Sequence, residues 1–373
     1  MTTIDEEWFR TADRFGKVGS RHHVIPRLIL QKWADSSDQV WAKSKHDRRE
    51  GIRNIYDLAI KDFYTFLATD GQLDSTFEEL LSVFEKRGAA VLKRLNNPFT
   101  AEIALSPDEF IHLAEFVAIQ IARSPRRRRE HELMVDWYAK TVAAGTRPGR
   151  LSEQELRTLE FTPHQNEHID LIIPAADKLT RELMRRPVAM VTLDRPLLLI
   201  GDEMVVLNTA GDPHHSPDCA MTDAQFTRKI KRASRKKKGR PQRHEVARLA
   251  HIYTTQPRDI EAAVEIAMPI SPRTVLLFGP AAEWEGHVVR EQVCGPDADQ
   301  LAERINDTII EYSLDVIVGR VDAPSFRALP IPEPAPLLAV CGATGAAKDA
   351  VMTAPKRLRP KRLDRRQTGL VQT

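Results

Sequence analysis

Cysteine is scarce. Cys219, Cys294 and Cys341 are the only three in 373 residues, far apart and never in a Cys-x-x-Cys pair. This usage argues against a disulfide framework and against a cysteine-based zinc site, and it fits a reducing compartment. Aromatic residues make up 6% of the chain, and none falls in its most basic stretch, so base stacking is not implied there. No apolar window approaches the length of a membrane span. The first residues, "MTTIDEEWFR", place acids where a secretory signal carries a basic start and an apolar run. A cytoplasmic protein with no membrane partner is expected. No internal repeat is present.

What the sequence does hold is basic charge confined to two places. Arg228, Lys229, Lys231, Arg232, Arg235, Lys236, Lys237, Lys238, Arg240 and Arg243 put ten cations and no acid into residues 228–243. The last 23 residues add seven, offset only by Asp364. Outside these stretches 38 basic residues face 51 acidic ones, so the formal net charge of +3 hides a negative body with positive appendages. Such clusters attract polyanions, and each phosphate contact releases counterions and makes binding salt-dependent. The alternative is a solvated segment serving solubility or targeting. "RSPRRRRE" at 123–130 adds cations, with Glu130 and Glu132 available to pair with them.

From Asp74 to about Ala144 the apolar residues recur at helical spacing. Phe77, Leu80, Leu81, Phe84, Val91, Leu92 and Leu95 share one face, and "SPDE" at 106–109 carries a capping box with proline in the first turn. Ser152 with Glu155, and Thr162 with Pro163 and Gln165, mark further helix starts. After Arg186 short runs of Val, Leu and Ile bounded by Pro, Gly and Asp read as strands. A helix over 297–318 packs back on them. The expected fold is α+β, a helical N-terminal half packed against a small C-terminal β-sheet. An N-terminal arm over 1–20 precedes a single domain over 21–325, with a basic insertion at about 228–245. Residues 326–373, Pro-rich and then basic, lack amphipathic periodicity and are expected to be disordered.

In "HHVIPRLILQKWA", His23, Pro26, Leu30 and Trp33 resemble the opening motif of the domain of unknown function 4238 family. The resemblance continues through Asp62 and Tyr64, Glu85, the Gln-x-x-Arg pair Gln120 and Arg123, the "TLDRPL" turn, "MPISPR" and Asn306. It covers most of residues 21–320 and implies an intact domain with marked positions, but no reaction. The two basic segments are not part of it.

Several polar residues stand out as candidates for chemistry. Glu85 and Gln120 lie on otherwise apolar helix faces, and a carboxylate there needs a partner, for which Arg123, His22 and His23 are available. A grouping of His23, Glu85, Gln120 and Arg123 could transfer protons or bind phosphate; the favoured alternative is a buried structural network. Asp194 before "RPL" could act as a base, though a turn former is the preferred reading. "HQNEH" has the His-x-x-Glu-His form of inverzincin peptidases, with His164 and His168 as zinc ligands and Glu245 as a third. Zinc or another divalent metal is not favoured, because Pro163 precedes the motif directly and Pro174 interrupts its helix. His168 is instead expected beside Leu171 and Ile172, with His164 and Glu167 facing solvent. The leading expectation is a protein that engages DNA or RNA through its basic loop and tail, with phosphodiester cleavage as a further step. Alternatives are a non-catalytic interaction module and, more weakly, a zinc peptidase.

Overall fold

The apolar runs after Arg186 become inner strands of a sheet covered on both faces. The structure is a computed structural model that describes residues 22–61, 63–64, 66–67, 73–74, 76–96, 102–146, 155, 160–209, 251–255, 259–283 and 286–341. Its elements open with β1 (His22–His23), α1 (Arg27–Leu30), β2 (Gln39–Ser44), β3 (Glu50–Asn54), β4 (Ile60–Lys61), β5 (Phe66–Leu67) and β6 (Leu73–Asp74). Next come α2 (Thr76–Leu95), β7 (Glu102–Ala104), α3 (Pro107–Ala122), α4 (Pro125–Thr146) and α5 (Gln165–Leu183). The strands β8 (Val188–Leu193), β9 (Ile200–Gly201), β10 (Val206–Thr209), β11 (His251–Thr254), β12 (Ala263–Ser271), β13 (Thr274–Phe278) and β14 (His287–Val293) follow. The chain closes with α6 (Gly295–Tyr312), β15 (Val316–Gly319), α7 (Pro324–Ala328) and β16 (Leu338–Cys341).

Six strands order as β10-β12-β13-β8-β14-β7, antiparallel except for the β8–β14 pair. Alternate residues point to opposite faces. Val188, Met190, Ile266, Met268, Leu276 and Phe278 enter the core shared with α2, α3 and α5. Val191, Leu193, Ala267 and Val275 face α6 through Ala298, Ala302, Ile305 and Ile309. Burial on both sides explains why these strands read as unbroken apolar runs. On the helical side α2 and α3 approach closely, since a Cβ at Gly88 would run into the side chain of Phe116.

A second sheet, β3-β2-β15-β9, joins the N-terminal segment to the C-terminal one. The expected helix over 297–318 therefore stops at Tyr312, and Val316, Ile317 and Val318 form a strand, which suits their β-branched side chains. Asp202 secures the change of direction: Oδ1 accepts from Leu314 N at 2.8 Å and Oδ2 from Asp315 N at 2.9 Å and Val316 N at 3.2 Å. Lys45 Nζ donates to Glu311 O and Ser313 O at the end of α6. Asn306 and Trp33 grip the "RPLLLI" turn, with Asn306 bonding Leu197 O and Leu199 N while Trp33 Nε1 donates to Leu198 O.

Three further expectations change. The α5 helix begins at Gln165, capped by His164 rather than Thr162, and it continues through Pro174 to Leu183. The start expected at Ser152 lies outside the described residues. Order extends beyond 325 to Cys341, because Phe326, Leu337 and Leu338 are buried, the last two against Leu133 of α4, and β16 pairs with β11. Paired apolar side chains fix this stretch despite its missing periodicity. Among the described residues, no helix is long and apolar enough to cross a membrane.

Candidate functional site

Arg123 ends α3 at the junction with α4. Its Nε and Nη2 both donate to Gln120 Oε1, at 3.0 and 2.8 Å, and Nη2 also reaches Glu85 Oε1 of α2 at 2.8 Å. Three of the four residues grouped on sequence grounds thus converge. His23 lies in the β1–β4 ladder opposite Ile60. Its neighbour His22 reaches Tyr64 and Glu78, which act electrostatically on Arg123. The Nδ1 of His22 accepts from Phe63 N at 3.2 Å and Tyr64 N at 3.1 Å, and its Nε2 lies 3.7 Å from Glu78 Oε2. That pattern puts the ring proton on Nε2 in the neutral form. The Tyr64 ring lies 5.1 Å from His22 and 5.8 Å from Phe77.

Electrostatics here follow from burial. The Tyr64 hydroxyl is pushed up to about 12 by desolvation and stays protonated at neutral pH. Burial lifts the Glu78 carboxyl to about 7, with Arg123 pulling it back and Glu85 adding to the rise. Desolvation opposes the charge on Arg123, but Glu85 and Tyr64 beside it hold its pKa above the usual arginine value. Tyr64 Oη and Gln120 Nε2 are buried without a hydrogen-bond partner among the described residues.

Beside this cluster a cleft of about 170 Å³ opens between the first turns of α4 and the middle of α5. Among the described residues its wall carries Arg123, Arg127, Arg128, His131 and His168, and no Asp or Glu. The balancing acids sit behind the wall: Glu85 holds Arg123, and Glu132 lies 3.3 Å from Arg128 Nε and 3.6 Å from His168 Nε2. The imidazoles of His131 and His168 face each other through Nδ1 atoms 3.4 Å apart. His131 was not singled out by the sequence. Its spacing of four and eight residues after Arg127 and Arg123 was the available signal, obscured by the break in helix at Ser124.

The family model described as Protein of unknown function (DUF4238) matches residues 21–322. The chain belongs to this family. Comparison with curated proteins and with solved structures gave no match. Of the DUF4238 positions marked in the sequence, Tyr64, Glu85, Gln120 and Arg123 meet in the buried cluster, while Trp33 and Asn306 hold the 195–200 turn.

The remaining candidates separate. His164 is exposed at the N-cap of α5, where its Nδ1 accepts from Asn166 N, whereas His168 is buried against Glu132 and His131. Leu171 and Ile172 line the same cleft as His168, and Glu167 is exposed. Glu245 lies outside the described residues, and among those described no group of three or more His, Cys, Asp or Glu is placed to hold a metal. Asp194 Oδ2 accepts from Gly295 N at 3.1 Å, a turn contact at the start of α6. The arginine run is largely occupied: Arg126 pairs with Glu130, Arg128 with Glu132, and Arg129 with Glu132 and Glu160. The pairing with Glu130 and Glu132 that the sequence left open to these arginines is thus made, and it offsets part of their charge. Residues 228–243 and the basic tail lie outside the described residues.

Two carboxyls give a pH signature. Burial, with Asp315 adding to it, pushes Asp202 up to about 7 against the pull of its backbone donors, and Glu78 is raised to a similar value. The folded state then keeps protons that the unfolded chain has already released, so this stabilisation is complete below about pH 4 and is lost as pH rises through 7. Urea midpoints are expected to fall between pH 5 and pH 8, with a shallower fall in Asp202→Asn. An equal fall in that variant would assign the dependence elsewhere.

Proposed function

We propose that this DUF4238 protein engages nucleic acid through its two basic segments, which act together from a shared root. The supporting observation is the β11–β16 ribbon. Its strands run antiparallel with His251 opposite Cys341. The chain entering β11 from the basic insertion and the chain leaving β16 toward the basic tail therefore meet at one end of one ribbon. That ribbon is fixed to the body: Arg126 Nη2 donates to Thr255 Oγ1 at 3.2 Å, and Leu337 and Leu338 pack on Leu133. Segments separated by about a hundred positions in sequence, carrying seventeen cations between them, thus attach at neighbouring points of the body. In a chain whose remainder is negative, this charge favours a polyanion over a protein partner. The scattered cysteines fit a cytoplasmic setting for it.

The His/Glu/Gln/Arg cluster supports a structural role within this reading. Two donor nitrogens of Arg123 and both of its partners, Glu85 and Gln120, are engaged with one another, joining α2 and α3. Binding is therefore assigned without cleavage at that cluster.

The test is fluorescence anisotropy with mixed-sequence duplex DNA and RNA at several salt concentrations. Replacing Lys236, Lys237 and Lys238 by alanine is expected to weaken binding to either probe and to flatten the slope of log affinity against log salt by about 0.9 for each phosphate no longer neutralised. Absence of binding by the unaltered chain at low salt would refute the proposal.

A further inference from the structure

We propose that the cleft between α4 and α5 is a binding site for a phosphate monoester. This does not depend on the basic segments. Among the described residues, five basic side chains and no carboxylate line a space of about 170 Å³. Glu85 holds Arg123 and Glu132 holds Arg128 from behind, which fixes the direction of those two guanidinium groups. Three arginine forks around one space match the several oxygens of a tetrahedral dianion better than those of a single carboxylate.

Tyr64 also lines the cleft. The two histidines are ordered toward the same end. Glu132, 3.6 Å from His168 Nε2, favours the proton there, which makes His168 Nδ1 the acceptor. His131 Nδ1, 3.4 Å away, then carries its proton toward His168. The remaining polar atom of the His131 ring, Nε2, belongs to a side chain that lines the cleft.

Size limits the part of the ligand that enters. A cavity of about 150 Å³ holds one benzene ring, so this open cleft takes the phosphate and the near part of its stem, and the rest of a bound molecule extends outside. Leu171, Ile172 and Ala175 supply an apolar wall for that stem. The monoester could be a small organic phosphate or the terminal phosphate of a nucleic-acid strand, since both present the same group.

Titration calorimetry of the full chain with phenyl phosphate, and with phenol as the neutral control, tests the site. Phenyl phosphate is expected to bind, and Arg127→Gln and His131→Gln are each expected to lose about tenfold in affinity while their urea unfolding stays unchanged. Binding no tighter than that of phenol, or unaltered affinity in both folded variants, would overturn the proposal. A second arm compares 5′-phosphorylated with 5′-hydroxyl oligonucleotide on the chain carrying alanine at 236–238. A gain from the phosphate there supports the site with a strand end as its ligand. No gain, with phenyl phosphate still bound, supports it with a small organic phosphate.

Discussion

Arg186→Met is expected to lower the unfolding free energy by about 4 kcal/mol, at the upper end of single substitutions. Arg186 is fully buried just after α5, and its guanidinium gathers carbonyls from two separate turns, 260–263 and Gly279. Nη1 donates to Ala263 O at 2.7 Å and Gly279 O at 2.8 Å, while Nη2 donates to Ile260 O and, at 3.4 Å, to Glu261 O. Methionine has similar length but no donors, so these carbonyls would lose their charged partner while remaining at least partly shielded from water. The guanidinium itself bears a cost, since burial pulls its pKa down. Lysine at this position would restore the charge but not the planar fork, and recovery of less than half the loss is expected. Urea denaturation measures both. A loss below about 1 kcal/mol in Arg186→Met would mean that the turns hold one another without the side chain.

The second large effect belongs to Arg123. Arg123→Met leaves Glu85 and Gln120 facing each other without a cation, and breaking a buried pair from one side typically costs about 3–5 kcal/mol. Glu85 retains 23% side-chain exposure and can regain some water, so a loss of about 3 kcal/mol is expected. Glu85→Gln should cost less, near 1 kcal/mol, because an amide oxygen can still accept from Arg123. If the two variants were equally mild, the cluster would be a surface pair in effect and not the joint between α2 and α3.

What could be read in the sequence follows the range of the interactions involved. Periodicity located α2 and α3 and the strands β8, β12 and β13, and the capping box at Ser106 and Glu109 is present as expected, because these features are set by nearby residues. The second sheet was not legible. It pairs residues 39–54 with 316–319, and β2 and β3 are short, mixed in polarity and without a distinctive pattern. The cluster was half legible: a polar residue on an apolar face must be paired, which singled out Glu85, Gln120 and Arg123. Choosing between His22 and His23 required the direction of a two-residue strand. His131 and Arg127 acquire meaning only from α5, some forty residues later, which closes the cleft over them.

The shared root of the basic segments can be tested most directly by stoichiometry. A duplex of about 20 base pairs, titrated at low salt, is expected to bind one per chain, with a steep salt dependence that flattens both in the chain with alanine at 236–238 and in the chain ending at Cys341. Two independent duplexes per chain, or a slope that neither change alters, would contradict it.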